Sequence, residues 1–498
     1  MLTRALNNDV RCSQDLYGML KNKLEFENAV IGEAASIAMG LVKLGTGDVA
    51  TFDYMCTQAS QTQHEKIIRG IAVGASLVFY GKQAAADAQI HALCADKDHM
   101  MRMAGCHTIA TAYAGTNDNA MIKILLHIAV SDVNDDVRRS AVTSIGFVLC
   151  RNHEQLPSTV MLLSESFNPH VRYGTCMALG IACAGSGSAE AIALVEPLVE
   201  DPVGYVRQGA FIALALIMMQ QPMSHPKAKW TREQFTKVIG DKHQDILAKF
   251  GAIYAQGILE AGGRNVTARI VNEEGHLRMQ SVVGMLLFTQ FWFWFPLGHC
   301  LSLALSPTSV VCMNTDLKMP KNLKIKSNAP PSKYAPPPMT EVKKKETKDK
   351  VETVVLSTTN KAKAKAVAKA KEDDEKKDGG GAMDVDGEKK AGEKKEGEAA
   401  ASGDAAAEKA KAEPEAAFEM LSNPARVVVE QLKDVSFEDG RYTPVVAGRV
   451  RSGIVIMIDS TPDEPEEFIE IAAAAEEVRV GEAEAPAPFE FKVELEDE

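Results

Sequence analysis

The sequence predicts a mainly α-helical solenoid of short helix–turn–helix repeats, followed by a charged linker and a small β-rich region. Three observations predict it. Seven segments align without gaps at regular spacing. Small residues recur inside them at fixed helical positions, and the composition changes abruptly near residue 327. Self-similarity at a period of a few tens of residues is the mark of a repeat architecture.

The seven segments begin at Ala34, Gly70, Ala104, Ser140, Gly174, Gly209 and Gly251, with spacings of 36, 34, 36, 34, 35 and 42 residues. Let p be the first residue of each. Position p+4 holds Ala38, Gly74, Thr108, Ser144, Ala178, Ala213 and Ala255, and p+6 holds Gly40, Ser76, Ala110, Gly146, Gly180, Ala215 and Gly257. All twenty-one residues at p, p+4 and p+6 are Gly, Ala, Ser or Thr. Residues p and p+4 lie one helical turn apart on one face, so small side chains there admit a close neighbouring helix. Glycine inside a helix costs about 0.5–1 kcal/mol relative to alanine, so its recurrence needs a packing reason, which stacked repeats supply. Gly70, Gly74, Gly146, Gly174, Gly180, Gly209, Gly251 and Gly257 are therefore expected to be repeat-packing residues. At p+7 stand Leu41, Leu77, Thr111, Phe147, Ile181, Leu216 and Ile258, nearly all apolar. At p+11, Gly45, Gly81, Gly115, Gly185 and Gly262 predict left-handed helix stops. A second amphipathic helix is expected between cores, as over 189–199. Val-Arg pairs precede three cores, at Val137-Arg138, Val171-Arg172 and Val206-Arg207.

Repeats of this length with this Gly/Ala pattern resemble the proteasome/cyclosome repeat. The resemblance implies that residues 1–263 are such helical units, which in the family close into a toroid. Large non-ATPase scaffold subunits of the proteasome base and a subunit of the anaphase-promoting complex carry such units.

Residues 264–326 read as an apolar closing segment with short strands. Its centre, Phe291-Trp292-Phe293-Trp294-Phe295-Pro296, lies in a strongly apolar run from Ser281 to Leu305. A membrane span is one reading of that run. A span needs about 20 apolar residues with tryptophans near its ends. Here Trp292 and Trp294 lie mid-run, Thr289 and Gln290 interrupt it, and Pro296 follows, which favours a buried helix pair. The flanking β-prone runs, 266–271 and 308–313, are expected to pair. The run is similar to a signature of the larger scaffold subunit of the proteasome base, which argues further against the membrane.

From 327 to 417 the chain becomes Pro-rich and then Lys/Ala/Glu-rich, with bulky apolar residues nearly absent after Val367. Such a segment has no core to offset ordering entropy and is expected to be a disordered linker. Its Lys-rich runs read as a solvated polyampholyte, or alternatively as nuclear-localisation or polyanion contacts. Over 418–470, strands are expected at Val427–Leu432, Tyr442–Val450 and Gly453–Ile458, packed on the array. The stretches Asn423-Pro-Ala-Arg-Val and Gly453-Ile-Val-Ile resemble the same subunit family.

The acidic tail, 471–498, contains Pro486-Ala-Pro-Phe-Glu-Phe. Prolines keep such a segment extended, and Phe489 and Phe491 present apolar anchors, each worth about 2 kcal/mol if buried. The family tail has a Pro-x-Pro-Phe-Glu-Tyr-type motif that binds a ubiquitin receptor with a pleckstrin-like domain. The resemblance carries that role to Pro486, Pro488, Phe489, Glu490 and Phe491. Phe491 replaces the tyrosine, and seven further residues follow it.

Chemistry-bearing motifs are missing from the sequence. It has no GxxxxGK[ST], H-E-x-x-H or G-x-S-x-G, so an enzyme is not expected. Nine cysteines are scattered singly without a C-x-x-C pair, which fits reduced thiols. Cys106-His107 has no second pair at zinc spacing, so neither metal nor cofactor is expected. The net charge of −12 argues against nucleic acid as a partner, although more than half of the charged residues lie beyond about residue 340. Residues 1–20 show no signal-peptide apolar region. The resemblance implies a non-catalytic scaffold in cytoplasm and nucleus. Its implied partners are the proteasomal ATPase ring, lid subunits and the ubiquitin receptor, with ubiquitin-like domains as further partners. The alternative is a repeat adaptor of another complex, such as the anaphase-promoting complex. The resemblance spans nearly the whole chain but about half the family's length, so the chain reads as the closing end of a toroid.

Overall fold

The computed structural model describes residues 10–25, 28–272, 274–337, 416–437, 440–446, 450–461, 464–465 and 467–469. They belong to one compact unit. A first helix, α1 (Val10–Leu24), is followed by seven core helices alternating with six others. The pairs are α2 (Ala29–Val42) and α3 (Val49–Gln61), α4 (Glu65–Val78) and α5 (Asp87–Cys94), α6 (His99–Ala112) and α7 (Asn119–Ser131), and α8 (Asp135–Val148) and α9 (Leu156–Ser164). Then come α10 (Pro169–Ala182) and α11 (Ala189–Val195), α12 (Gly204–Ile217) and α13 (Ala228–Gly240), and the last core helix, α14 (Ile246–Leu259). The chain is an α-solenoid of helix–turn–helix repeats.

The starts of these helices are written into the sequence at two further fixed positions. At p−6, the side chains of Asn28, Asp98, Asn134, Asn168 and Asp245 accept hydrogen bonds from the first backbone N–H groups of the core helices. At p+14, Asp48, Asp118 and Ser188 cap the second helices. A side-chain oxygen there satisfies donors that have no partner inside the helix. The helix expected over 189–199 is α only to Val195. Pro197 follows, and Glu196–Glu200 is a 3-10 segment. The p+11 glycines adopt the left-handed conformation at the ends of core helices, with φ between 56° and 69°.

One apolar core runs continuously from Leu20 to Ala304. The core helices are buried almost all round: every residue of α6 from Met103 to Ala112 is buried. A second, smaller core lies in the β region and gathers Val310, Cys312, Leu323, Ile325, Ala425, Val427, Leu432 and Met457 among others.

The strands differ from expectation. β1 (Val266–Ala268) pairs antiparallel with β2 (Leu305–Pro307), rather than with the 308–313 run. β3 (Val310–Met313) instead runs parallel to β8 (Gly453–Asp459), whose other neighbour is β7 (Tyr442–Pro444). A second sheet has β4 (Lys324–Ser327) between β5 (Glu419–Ser422) and β6 (Val435–Phe437). Val427–Leu432 is therefore not a strand. Its Val427 and Leu432 are buried from irregular backbone and a 3-10 turn at Gln431–Lys433. The strand expected over 442–450 ends at Pro444.

Two boundaries also move. The apolar run of 281–305 is not a pair of α-helices: α15 (Met279–Phe288) is followed by a loop and a 3-10 segment, Gly298–Ala304. The linker does not begin at 327, because Ser327 closes β4, and α16 (Pro331–Tyr334) carries a buried Tyr334 whose hydroxyl donates to Asp434 at 2.8 Å. Residues 331–337 tie back to the array as well. Met223 N–H donates to the Ala335 carbonyl at 3.0 Å, and the Ser224 hydroxyl to that of Lys333 at 2.9 Å. The remainder of the expected linker, 338–415, lies outside the described residues.

Candidate functional site

The seam between successive core helices follows one rule. A Cβ placed on Gly70, Gly174, Gly209 or Gly251, all at p, would meet residue p−1 of the preceding core: Glu33 at 2.6 Å, Arg139 at 2.9 Å, Tyr173 at 2.7 Å and Gln208 at 2.7 Å. A Cβ at p+6 would meet p+4 of the following core. Gly146 would meet Ala178 at 2.7 Å, Gly180 would meet Ala213 at 2.9 Å, and Gly40 faces Gly74 more closely still. Gly74 in turn abuts the Ser36 carbonyl. Except at Gly209, where the Tyr173 ring fills the space, the nearest neighbour is backbone, so an added side chain would displace a helix. Gly257 is the exception among the expected packing residues. It is exposed, with nothing within 4 Å of an added Cβ, because its seam partner would be an eighth core that the described residues do not contain.

The seam is also stitched by polar groups. The N–H of p+11 donates to the p+7 carbonyl of the next core: Gly45 to Leu77 at 3.1 Å, Gly81 to Thr111 at 3.1 Å, Gly115 to Phe147 at 2.9 Å and Gly185 to Leu216 at 2.8 Å. The helix-stop glycines therefore join repeats as well as end helices. The arginines at p−2 form a second stitch. Arg172 grips the Asp201 carboxylate through Nε and Nη2 at 2.7 and 3.1 Å, while Arg207 donates to the Asp201 carbonyl at 2.6 Å. Arg102 and Arg138 treat Asp132 in the same way, with Arg102 bonds of 2.8 and 3.1 Å. Burial opposes ionisation of Asp132, but its hydrogen bond from Arg102 prevails and holds the carboxyl below its ordinary value. The Val-Arg pairs stand out in the sequence, whereas their partners, the aspartates at p−8 of the fourth and sixth repeats, show no local sign of the pairing.

The aromatic loop lies across these core helices. Phe291 and Phe295 take positive φ values of 54° and 48°, which end the helical path after α15. Non-glycine residues rarely adopt that conformation, and here packing imposes it. The Arg69 guanidinium sits 5.5 Å from the Phe291 ring, and that of Arg139 4.4 Å from Trp292. Trp292 also meets Tyr173 at 5.2 Å and Tyr205 at 5.1 Å, Trp294 meets Phe250 at 5.6 Å, and Phe295 meets Tyr254 at 5.8 Å. Gln208 Nε2 donates to the Phe293 carbonyl at 2.9 Å. One loop thereby contacts core helices of the second, fourth, fifth, sixth and seventh repeats, using aromatic and cation–π contacts worth about 0.5–2 kcal/mol each.

Other sequence candidates fall elsewhere. The tail residues Pro486, Pro488, Phe489, Glu490 and Phe491 lie outside the described residues. Cys106 and His107 are core residues of α6, and burial raises the Cys106 thiol well above its ordinary value. Burial pushes Cys56, Cys150, Cys183 and Cys312 up to about 12, so these thiols are packing groups. Among the described residues, no cluster of three metal-ligating side chains occurs, and no helix is long and apolar enough to cross a membrane. At p−7, in the turns before the fourth and fifth cores, Val133 and Phe167 are 91% and 100% exposed, large apolar side chains on neighbouring loop tips. Exposed apolar groups that cluster mark interaction surfaces.

Comparison with known proteins places this geometry. Residues 308–469 match the family described as the 26S proteasome regulatory subunit RPN2 C-terminal domain, and residues 174–208 match the proteasome/cyclosome repeat. The chain is 48% identical to the 26S proteasome non-ATPase regulatory subunit 1 of Drosophila melanogaster, over 96% of this chain and 50% of that protein. The chain belongs to this family of proteasome regulatory subunits. It is 46% identical to homolog A of the same subunit in Arabidopsis thaliana, over 91% of this chain and 46% of that protein. It is 42% identical to the 26S proteasome regulatory subunit rpn2 of Schizosaccharomyces pombe, over 97% of this chain and 51% of that protein. The chain thus spans about half the length of the curated relatives it matches. The β region with its two sheets falls inside the match to the RPN2 C-terminal domain, and the fifth core inside the match to the repeat.

Proposed function

We propose that this chain is a non-catalytic scaffold of the proteasome regulatory particle base, positioning ATPase and lid subunits for ubiquitin-dependent degradation. The observation that carries the reading is the seam. Close backbone contact, inter-repeat hydrogen bonds and the bracing aromatic loop make a stiff surface on which partners keep fixed positions. Relatives named as non-ATPase regulatory subunits support the absence of catalysis. Val133 and Phe167 offer apolar contacts to a neighbouring subunit, and cytoplasm and nucleus are the compartments the family implies. Affinity purification of the tagged chain tests this. Proteasomal ATPases should be recovered by mass spectrometry, and their absence would refute the reading.

The tail has a separate role in this proposal. Pro486, Pro488, Phe489, Glu490 and Phe491 dock a ubiquitin receptor carrying a pleckstrin-like domain, with Phe489 as the main apolar anchor. Phe489→Ala in a tail peptide should abolish receptor binding in calorimetry. Unchanged affinity would remove the tail from the account and leave the scaffold role to the purification experiment.

A further inference from the structure

Between the aromatic loop and the core helices α6, α8 and α10 lies a cavity of about 540 Å³. That volume suits a small organic ligand. Its apolar wall includes Met100, Met103, Met177 and Trp292. Its polar groups are unusual for a core. The hydroxyl of Tyr173 and Nε2 of His107 both belong to cavity-lining residues, both are fully buried, and neither has a hydrogen-bond partner. Tyr173 is 2% exposed and His107 6%. A buried polar group left unpaired costs about 1–3 kcal/mol, so two in one cavity call for an occupant. Arg139, 8% exposed, adds a guanidinium that donates to Asp136 at 2.5 Å and lies 3.5 Å from His170 Nδ1. Arg69 also lines the space.

The charged and hydrogen-bonding groups that line the cavity set the ligand class. Burial, and then the neighbouring Arg139, depress His107 to about 4, so the ring is neutral at physiological pH. Burial raises the Tyr173 phenol, so it keeps its proton. Against these stand two guanidiniums and one carboxylate, that of Asp136. The cavity is thus rich in hydrogen-bond donors, carries positive charge and is otherwise apolar.

We propose that this cavity binds a small amphipathic carboxylic acid, its apolar body against the methionines and Trp292, its carboxylate accepting from Tyr173 and Arg139. Such a ligand would also brace the aromatic loop against three repeats at once. The site is independent of the proteasomal role. The test uses the full 498-residue chain, with 4-phenylbutyrate as probe and its primary amide as the uncharged match. Trp292 and Trp294 both line the cavity, so tryptophan emission reports occupancy. The acid should give a saturable change and bind about tenfold more tightly than the amide. Tyr173→Phe keeps the ring that packs on Gly209 and removes only the hydroxyl, and should weaken acid binding several-fold. No saturable change up to about 1 mM acid would overturn the proposal. So would equal binding of acid and amide, a comparison that needs no variant, or unaltered acid binding by Tyr173→Phe.

Discussion

The repeat array and the small β region solve opposite problems with different means. In the array, each core helix contacts its neighbours in sequence, and the same positions do the same work in successive units. Small residues at p, p+4 and p+6 set the helix separation, and glycines at p+11 end one helix while bonding to the next. In the β region, β3 pairs with β8 and β4 with β5 across the long charged segment, so no local pattern carries the pairing. Its core is a handful of side chains held by specific polar contacts. Asn423 shows this best. It is 3% exposed, accepts from Cys312 N–H at 3.0 Å, and donates to the carbonyls of Cys312 at 2.9 Å and Pro320 at 3.1 Å. The array is robust through repetition, whereas the β region depends on single residues.

The exception is the Arg–Asp stitches, where the array too relies on one pair. Arg172→Ala leaves the buried Asp201 carboxylate without its bidentate partner and should destabilise the chain by about 3–5 kcal/mol. Chemical denaturation measures this, and a loss under about 0.5 kcal/mol would show the stitch to be dispensable. Asn423→Ala should cost less, about 2–3 kcal/mol for three abandoned backbone groups, and the damage should stay local. Hydrogen exchange should rise at 310–313 and 423–427 while the core helices keep their protection. A global rise would make the two regions one cooperative unit.

The smallest effect concerns pH. Asp132 is held below its ordinary carboxylate value, so its contribution is complete above the unfolded-state value. It fades as pH falls through that range toward the lower folded value. The stability difference between the wild type and Asp132→Asn should therefore shrink from neutral pH to about pH 3. A difference that stays constant would mean that the Arg102 contact contributes through shape rather than charge.

The two regions were not equally legible in the sequence. Helix existence, order and the left-handed stops followed from periodicity and glycine, because both are local. The p−6 caps recur in five of the seven repeats and the p−8 aspartates in three, but both stand outside the aligned cores. The strand expected at 427–432 failed because β-prone residues there fill a core from irregular backbone, while the strands that do form await partners far along the chain. The aromatic loop is expected to be buried, but Phe293 and Trp294 are 44% and 59% exposed and only the Phe295 ring is buried, because left-handed turns at Phe291 and Phe295 lay the loop across the core helices as a brace. Gly257 was misplaced because the sequence marks its position as a seam residue, and only the structure reveals that no further described core packs there.

The seam rule itself makes the central claim, and one paired thermal melt tests it. Gly74→Ala and Gly257→Ala are the same chemical change in the same type of helix. At Gly74 the new methyl meets backbone on the neighbouring core, and overpacking should cost about 1–3 kcal/mol and lower Tm. At Gly257 it meets open space, and reduced chain entropy should add up to about 1 kcal/mol and raise Tm. Shifts of opposite sign are the predicted result. Shifts of the same sign would contradict a scaffold held together by backbone-close seams.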